Sequence, residues 1–420
     1  MLDHPDRLLE THADKPTEVR SAPDGASFDV ITTRDEAEAL AHEWQQLADR
    51  SGRATLFQSP AWCLFVWRTL ERYRGRLSFR PLLVVARRGG KLVFVFPLTI
   101  RNAFQCSIAE DLTEPFGQYS DALVADGTNA DDLMDGAWAI LKREGVDALM
   151  MRKVRADAVI AAWLQRKGTA LGEVRSAPFV ALSESADFAS YHGTLKAKTR
   201  KNLRNYRNRL KRIGTLTHEC VTDASTKTEL TLRCLALRSQ WLQQSGLSST
   251  AFQNPAFGDI IRALAEGQDG APDVTVMRLS LLPSDGTASV DLAMQWGFLD
   301  GDRYYAFMSA KHPDYDDYSP GRLHLEDVVR MCAGEDMNPD GPVGVVDFMV
   351  PDMPYKSTFA TGRCEVFNYG IAATLKGRGV VHGWHGFGRP ALKAAYLAMP
   401  ARLRRVATQV DARLQSSGKQ

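Results

Sequence analysis

The 420-residue chain predicts an α/β fold with two lobes and a helical C-terminal tail. Three observations predict it. The length suffices for two or three domains. Strand-like and helix-like patterns mix through the first 183 residues. Further on, three consecutive strand patterns lead directly into a helix and another strand. The composition, 44% hydrophobic and 24% charged, is ordinary for a soluble globular protein.

Composition also narrows the function. A formal net charge of +2 gives no global field directed at nucleic acid or membrane. The cysteines at 63, 106, 220, 234, 332 and 364 form no Cys-x-x-Cys pair, so neither a zinc site nor a redox pair is indicated. They fit a reducing compartment. The N-terminus lacks the apolar core of a signal peptide, and no apolar run approaches the roughly 20 residues that span a bilayer. A cytoplasmic protein without a transmembrane segment is expected.

In chain order, residues 1–26 are polar, carry Pro5, Pro16 and Pro23, and are expected to be a disordered leader. A first lobe is expected over 27–183. It opens with a strand at 28–33 and a helix capped by Asp35, with Ala37, Leu40, Ala41, Trp44 and Leu47 on its apolar stripe. Ser59-Pro60 opens a second helix bearing Trp62, Phe65, Val66 and Leu70. Strands at 79–88 and 91–100 flank Gly89-Gly90, a strong hairpin signal. Glu114 to Asp121 forms a polar-aromatic loop that suits either a cleft or a plain surface. A helix at 131–144, a strand at 148–154 and a helix at 157–167 complete the lobe.

A second lobe is expected over 184–376. Residues 195–213 give a helix with a narrow apolar seam of Leu195, Thr199, Leu203, Tyr206, Leu210 and Ile213. Its other faces carry nine lysines and arginines and no acid. Either these charges meet acids elsewhere in the fold, or Arg200, Arg204 and Arg207 face an anionic partner. No aromatic series accompanies them, which argues against single-strand nucleic-acid binding. A strand at 216–221 and helices at 226–244 and 255–266 follow. Then comes the meander, with strands at 274–282, 289–299 and 303–311. A strand at 363–373 is expected to close the lobe. Glycines 377, 379, 383, 386 and 388 read as a flexible link, and 390–399 and 401–414 as short peripheral helices.

The chain is organised around Tyr315 to Lys356. Tyr318-Ser319-Pro320-Gly321-Arg322-Leu323 precedes a helix over 318–334, with Ser319 as its cap and Pro320 in its first turn. Gly321 allows a ligand close to the backbone, and free N–H groups there favour an anion such as a pyrophosphate. A strand over 343–350 contains Asp347-Phe348, and Tyr355-Lys356 follows after six residues.

Tyr-Ser-Pro-Gly before a helix, then Asp-Phe, then Tyr-Lys, resembles the GNAT-type acyltransferases of the BcsL/CelD group. That group is linked to cellulose and other exopolysaccharide synthesis and is similar in fold to the FemABX peptidoglycan aminoacyltransferases. The resemblance covers roughly residues 57–368. The sequence departs from the general GNAT loop, Gln/Arg-x-x-Gly-x-Gly/Ala, in keeping only Gly321, and Pro351 stands where the group often has Gly. The resemblance implies tandem GNAT-like lobes, each a mixed, mostly antiparallel sheet flanked by helices. It implies acyl transfer from acetyl-CoA or another acyl-CoA to an amine or hydroxyl of a sugar, polysaccharide precursor or envelope metabolite. Tyr318, Ser319, Pro320, Gly321, Arg322 and Leu323 are then the cofactor-binding residues. Polysaccharide-synthesis proteins are implied as partners. Alternatives are aminoacyl transfer from charged tRNA and a non-catalytic accessory role.

Direct acyl transfer needs a positioned thioester, a nearby acceptor and a route for its proton. Tyr355 suits a proton donor to the leaving thiolate, Asp347 or His312 a proton acceptor, and Lys356 a phosphate-binding or orienting cation. His382 and His385 lack the further ligands that a metal requires, so no metal is expected.

Overall fold

The computed structural model describes residues 25–73, 79–103, 105–245, 247, 249–334, 337 and 342–399. Residues 1–24 of the expected leader and the expected helix at 401–414 lie outside them. Fourteen strands among the described residues form one sheet. They are β1 (Ser27–Ile31), β2 (Arg80–Arg88), β3 (Lys91–Ala103), β4 (Cys106–Asp111), β5 (Leu123–Val124), β6 (Ala148–Arg155), β7 (Thr169–Ala170) and β8 (Arg175–Ala181). Then come β9 (Gly214–Val221), β10 (Thr275–Pro283), β11 (Val290–Asp300), β12 (Arg303–Lys311), β13 (Val345–Asp347) and β14 (Gly362–Ala372). The principal order is β1-β2-β3-β4-β6-β14-β8-β13-β12-β11-β10-β9.

The helices are α1 (Arg34–Arg50), α2 (Pro60–Glu71), α3 (Ala130–Arg143), α4 (Ala161–Lys167), α5 (Phe188–Thr194), α6 (Ala197–Lys211) and α7 (Ala224–Ser245). After them follow α8 (Thr250–Gln253), α9 (Phe257–Ala265), α10 (Pro320–Cys332), α11 (Pro354–Phe359), α12 (Leu375–Arg378), a π-helical stretch at Gly379–Gly388, and α13 (Arg389–Ala398).

Local chemistry explains most element boundaries. Thr33, not the expected Asp35, caps α1, and Glu36 returns the bond to the cap backbone. That reciprocal pair satisfies two end donors at once, and it displaces the simpler cap. Ser59 Oγ accepts from the Trp62 amide at 3.2 Å, with Pro60 in the first turn of α2. Gly89 and Gly90 take φ of +55° and +78°, the left-handed pair that a two-residue hairpin requires.

One apolar core runs across both lobes. Trp62 of α2 meets Phe298 at 5.4 Å and Phe307 at 6.1 Å, and Phe57 meets Tyr305 at 5.5 Å and Tyr119 at 5.9 Å. Edge-to-face pairs of this kind are worth roughly 0.5–1.5 kcal/mol each beyond their burial. The lobes are thus joined by aromatic packing as well as by the sheet.

The sheet continues across the expected boundary at residue 183. β8 pairs with β14 on one side and β13 on the other. β14, expected to close the second lobe, instead runs antiparallel between β6 and β8. A period of two identifies a strand but not its partner. Gly362 helps fix this partner, because a Cβ there would stand 2.4 Å from the Phe179 ring. The expected flexible link after 376 is helical instead. Gly377 is needed for close approach, since a Cβ would fall 1.9 Å from the Asp147 carbonyl. Val380 and Val381 are buried, and they pack in a small cluster with Ala148, Met150 and Leu171.

Candidate active site

The site is built where two strands part. β12 pairs with β13 in parallel only through Arg303–Val345, Tyr304–Val346 and Tyr305–Asp347. Beyond Tyr305, β12 keeps its pairing with β11 on the other edge as far as Lys311. Among the described residues no strand pairs with the Ala306 to Lys311 stretch on that edge, which leaves its polar backbone for a guest or water. Immediately afterwards the chain makes the Pro313–Tyr318 turn and enters α10. An extended ligand in the opening thus has a helix N-terminus at its end.

The first turn of α10 differs from the expectation in two residues. Ser319 holds the cap position at φ +48°, but its side chain makes no capping bond. Leu323 is fully buried in the core, so only its backbone belongs to the turn. Pro320 stands at N1 as expected and is also buried. The amides of Arg322 and Leu323 both donate to the Ser319 carbonyl, at 3.0 and 3.3 Å. A Cβ on Gly321 meets only the Lys311 stem, at 3.9 Å, so this side of the turn is open. Exposed Arg322 lines a cavity of about 200 Å³ with Lys196, Lys198 and Thr358. Tyr318 lies under the Arg209 guanidinium at 4.7 Å.

The expected proton-handling residues separate. Tyr355 sits on α11 and is half-buried. Ser309, on the stretch of β12 beyond its pairing with β13, is among the groups that act on the Tyr355 phenol. Burial raises the phenol above the ordinary value, against the opposing pull of Ser309 and Arg238, so it stays protonated at neutral pH. A protonated phenol at the opening is a competent donor.

Asp347 has another role. It is 1% exposed and accepts from the Tyr119 hydroxyl at 2.9 Å, the Met349 amide at 2.9 Å, Arg155 at 3.1 Å and Arg303 at 3.2 Å. Its oxygens are occupied and sealed from solvent, so the assignment as a proton acceptor is corrected to a scaffold. It ties the Glu114–Asp121 loop to β13, and that loop is largely buried rather than a surface turn. Lys356 is likewise corrected from phosphate binding. Its Nζ donates to the carbonyls of Phe348 at 2.7 Å, Pro351 at 3.2 Å and Met349 at 3.4 Å. It therefore holds the Pro351 loop in shape. Burial and then Arg238 pull its pKa down to about 8. His312 caps the turn, its Nδ1 accepting from the Asp314 amide at 3.3 Å. Its place at the far end of β12 sets it at the helix end of the opening.

The arginines of the basic helix α6 have different surroundings. Arg200 donates to the carbonyls of Gly193 and Leu195. Arg207 bonds the buried carboxylates of Glu326 and Asp327, both at 2.7 Å. Arg204 is exposed and has no ion pair among the described residues, and it lines a cavity of about 370 Å³ with Arg200 and Arg207. The three arginines are thus expected to behave differently. Arg207→Gln should lose roughly 1–3 kcal/mol in a denaturant melt, since it removes the shortest cationic contact of two buried acids, leaving Glu326 with His192 at 2.9 Å and Asp327 with Arg330 at 3.6 Å. Arg204→Gln should leave the melt unchanged and weaken only anion binding. Equal stability losses in both variants would show that the cavity has no free cation.

Sequence reasoning missed Ser309, Arg238, Tyr119, Arg155 and Arg303. Arg238 on α7 lies over Trp241 at 4.3 Å and has no carboxylate partner among the described residues. Tyr119 lies in the polar-aromatic loop and Arg303 and Ser309 on β12 itself, but no residue type or spacing singled them out, while Arg155 and Arg238 come from distant elements. No group of metal-ligating side chains exists among the described residues.

Residues 197–357 match the acetyltransferase (GNAT) domain. The crystal structure of FemX is similar at 13% identity and TM-score 0.54, covering 82% of this chain and 97% of that one. A conserved protein of unknown function from Bacteroides thetaiotaomicron, at 11% identity, covers 83% and 99% with TM-score 0.46. A tandem GNAT protein from the clavulanic acid biosynthesis pathway, at 11% identity, covers 83% and 99% with TM-score 0.43. No curated protein matches the chain.

Proposed function

We propose that this chain, whose residues 197–357 match the acetyltransferase (GNAT) domain, transfers an acyl group from acetyl-CoA or another acyl-CoA to an amine or hydroxyl acceptor. The observation that carries this reading is the parting of β12 from β13 directly before α10. A pantetheine arm is long, thin and bears amides, so it suits an open strand edge that offers unpaired N–H and C=O groups. Its pyrophosphate suits the Gly321 turn, with Arg322, Lys196 and Lys198 near by. Tyr355 supplies the proton to the leaving thiolate, and Ser309 orients its hydroxyl. Arg238 gives the acceptor side a positive charge. A sugar, polysaccharide precursor or envelope metabolite as acceptor rests on the sequence resemblance.

Aminoacyl transfer from charged tRNA is the second reading, and the exposed cations of α6 favour it. These include Lys198, Lys201, Arg204, Lys211 and Arg212. The similarity to FemX concerns the fold. A thermal shift separates the two readings. Acetyl-CoA and free CoA should raise the melting temperature according to RT ln(1 + [L]/Kd) under the first, and salt-sensitive tRNA binding should replace this under the second.

Gly321→Val tests the phosphate turn itself. The new side chain enters open space, so the fold should be unchanged. Calorimetric affinity for acetyl-CoA should fall at least about tenfold, because branched carbons occupy the approach to the Gly321 amide and the helix N-terminus. Wild-type affinity in the folded variant would move the pyrophosphate elsewhere.

A further inference from the structure

We propose that the helical segment from Leu375 to Ala398 is an interfacial anchor that docks on an anionic phospholipid surface. Two features of the chain coincide there. The first is exposed apolar area. Leu375 is 80% exposed, Phe387 77% and Leu392 63%, and Trp384 and Met399 add to them. Most large apolar side chains that stand in solvent among the described residues fall in this one short segment. Scattered exposed leucines are ordinary, but a concentration of this kind marks an interaction surface.

The second feature is charge. From Leu375 to Met399 the sequence holds Lys376, Arg378, Arg389 and Lys393 and no acid. The whole chain carries only +2, so the remainder is net acidic and the positive charge is concentrated in the tail. Cations beside exposed aromatic and aliphatic side chains are the chemistry of the headgroup boundary. Apolar groups enter the acyl edge there, and long cationic stems reach back to phosphate. A second copy of this chain is the poorer occupant, because docking tail on tail would bring like charges together.

The mount is firm. Val380 and Val381 are buried against the body, and Thr374 Oγ1 donates to Asp147 at 2.6 Å. Close contact at Gly377 fixes the same end of the segment. Leu392 stands exposed on α13, and Met399 follows directly after the helix. No helix among the described residues is long and apolar enough to cross a membrane, so the segment lies on the surface rather than spanning it.

The test is co-sedimentation of the full chain with phosphatidylcholine vesicles, with and without about one-third phosphatidylglycerol. The chain should bind the anionic vesicles, release them as salt rises, and leave the neutral ones largely unbound. Phe387→Ser with Leu392→Ser should lower partitioning at least about tenfold. Lys376→Gln with Arg378→Gln should lower it several-fold. All four side chains lie outside the cores, so the melts should match wild type. Absence of binding to the anionic vesicles, or binding that the Phe387 and Leu392 changes leave untouched, overturns the proposal. So does a dimer in sedimentation that those changes dissolve without any vesicle binding, which would make a second copy the occupant.

Discussion

Tyr355→Phe is expected to leave folding and acyl-CoA affinity nearly intact while lowering turnover by roughly ten- to a thousandfold. The substitution keeps the ring, which packs beside the core of the second lobe, and removes only the hydroxyl on which Ser309 acts. Burial keeps that hydroxyl protonated, so under the proposed mechanism the donor is available through the neutral range. A leaving thiolate without a donor must depart as an anion into a half-buried site, and this raises the barrier. The assay is thiol release from acetyl-CoA with a working acceptor. The loss should appear in kcat rather than in KM, since the hydroxyl acts on the departing group and not on the bound ground state. Ser309→Ala should give a smaller fall, because it removes only the partner that orients the phenol. Wild-type turnover in Tyr355→Phe would place the chemistry elsewhere along the opening.

Asp347→Ala is expected to destabilise the fold by about 3–5 kcal/mol, the range for removing one member of a buried ionic group. It leaves Arg155 without one of its two carboxylates, Arg303 without its carboxylate, and the Tyr119 hydroxyl without an acceptor. Arg155 still reaches Asp157 at 2.8 Å, so that guanidinium keeps one partner and the loss should stay within the range. Because Asp347 joins β13, β12, β6 and the Glu114–Asp121 loop, the variant should also lose activity as the two lobes loosen. Chemical denaturation gives the stability and thiol release gives the rate. A stable Asp347→Ala protein with no turnover would restore the carboxylate to the chemistry.

Much of the fold was legible because its signals are local. The Gly89-Gly90 hairpin, the Ser59-Pro60 helix start and the three-strand meander are each decided within a few residues, by φ preference, capping or alternation. The Pro320-Gly321 turn was legible for the same reason. The carboxylate and the lysine of the motif were read less well. Asp347 and Lys356 have the residue types that catalysis uses, but buried networks and carbonyl cradles use those types too. Only the partners distinguish the cases, and Arg155 and Tyr119 lie far away in sequence.

By itself the sequence determined the order and type of most elements, the apolar seam and basic faces of α6, and a helix start suited to an anion. Tertiary structure alone decided that β14 crosses between β6 and β8, that the glycine-rich stretch is a helix packed on Asp147, and that Ser309 on β12 acts on the Tyr355 phenol. The division has a physical cause. Backbone preference, capping and periodicity act over a few residues, whereas strand partnership, burial of a charge and the approach of two side chains depend on what the rest of the chain brings alongside.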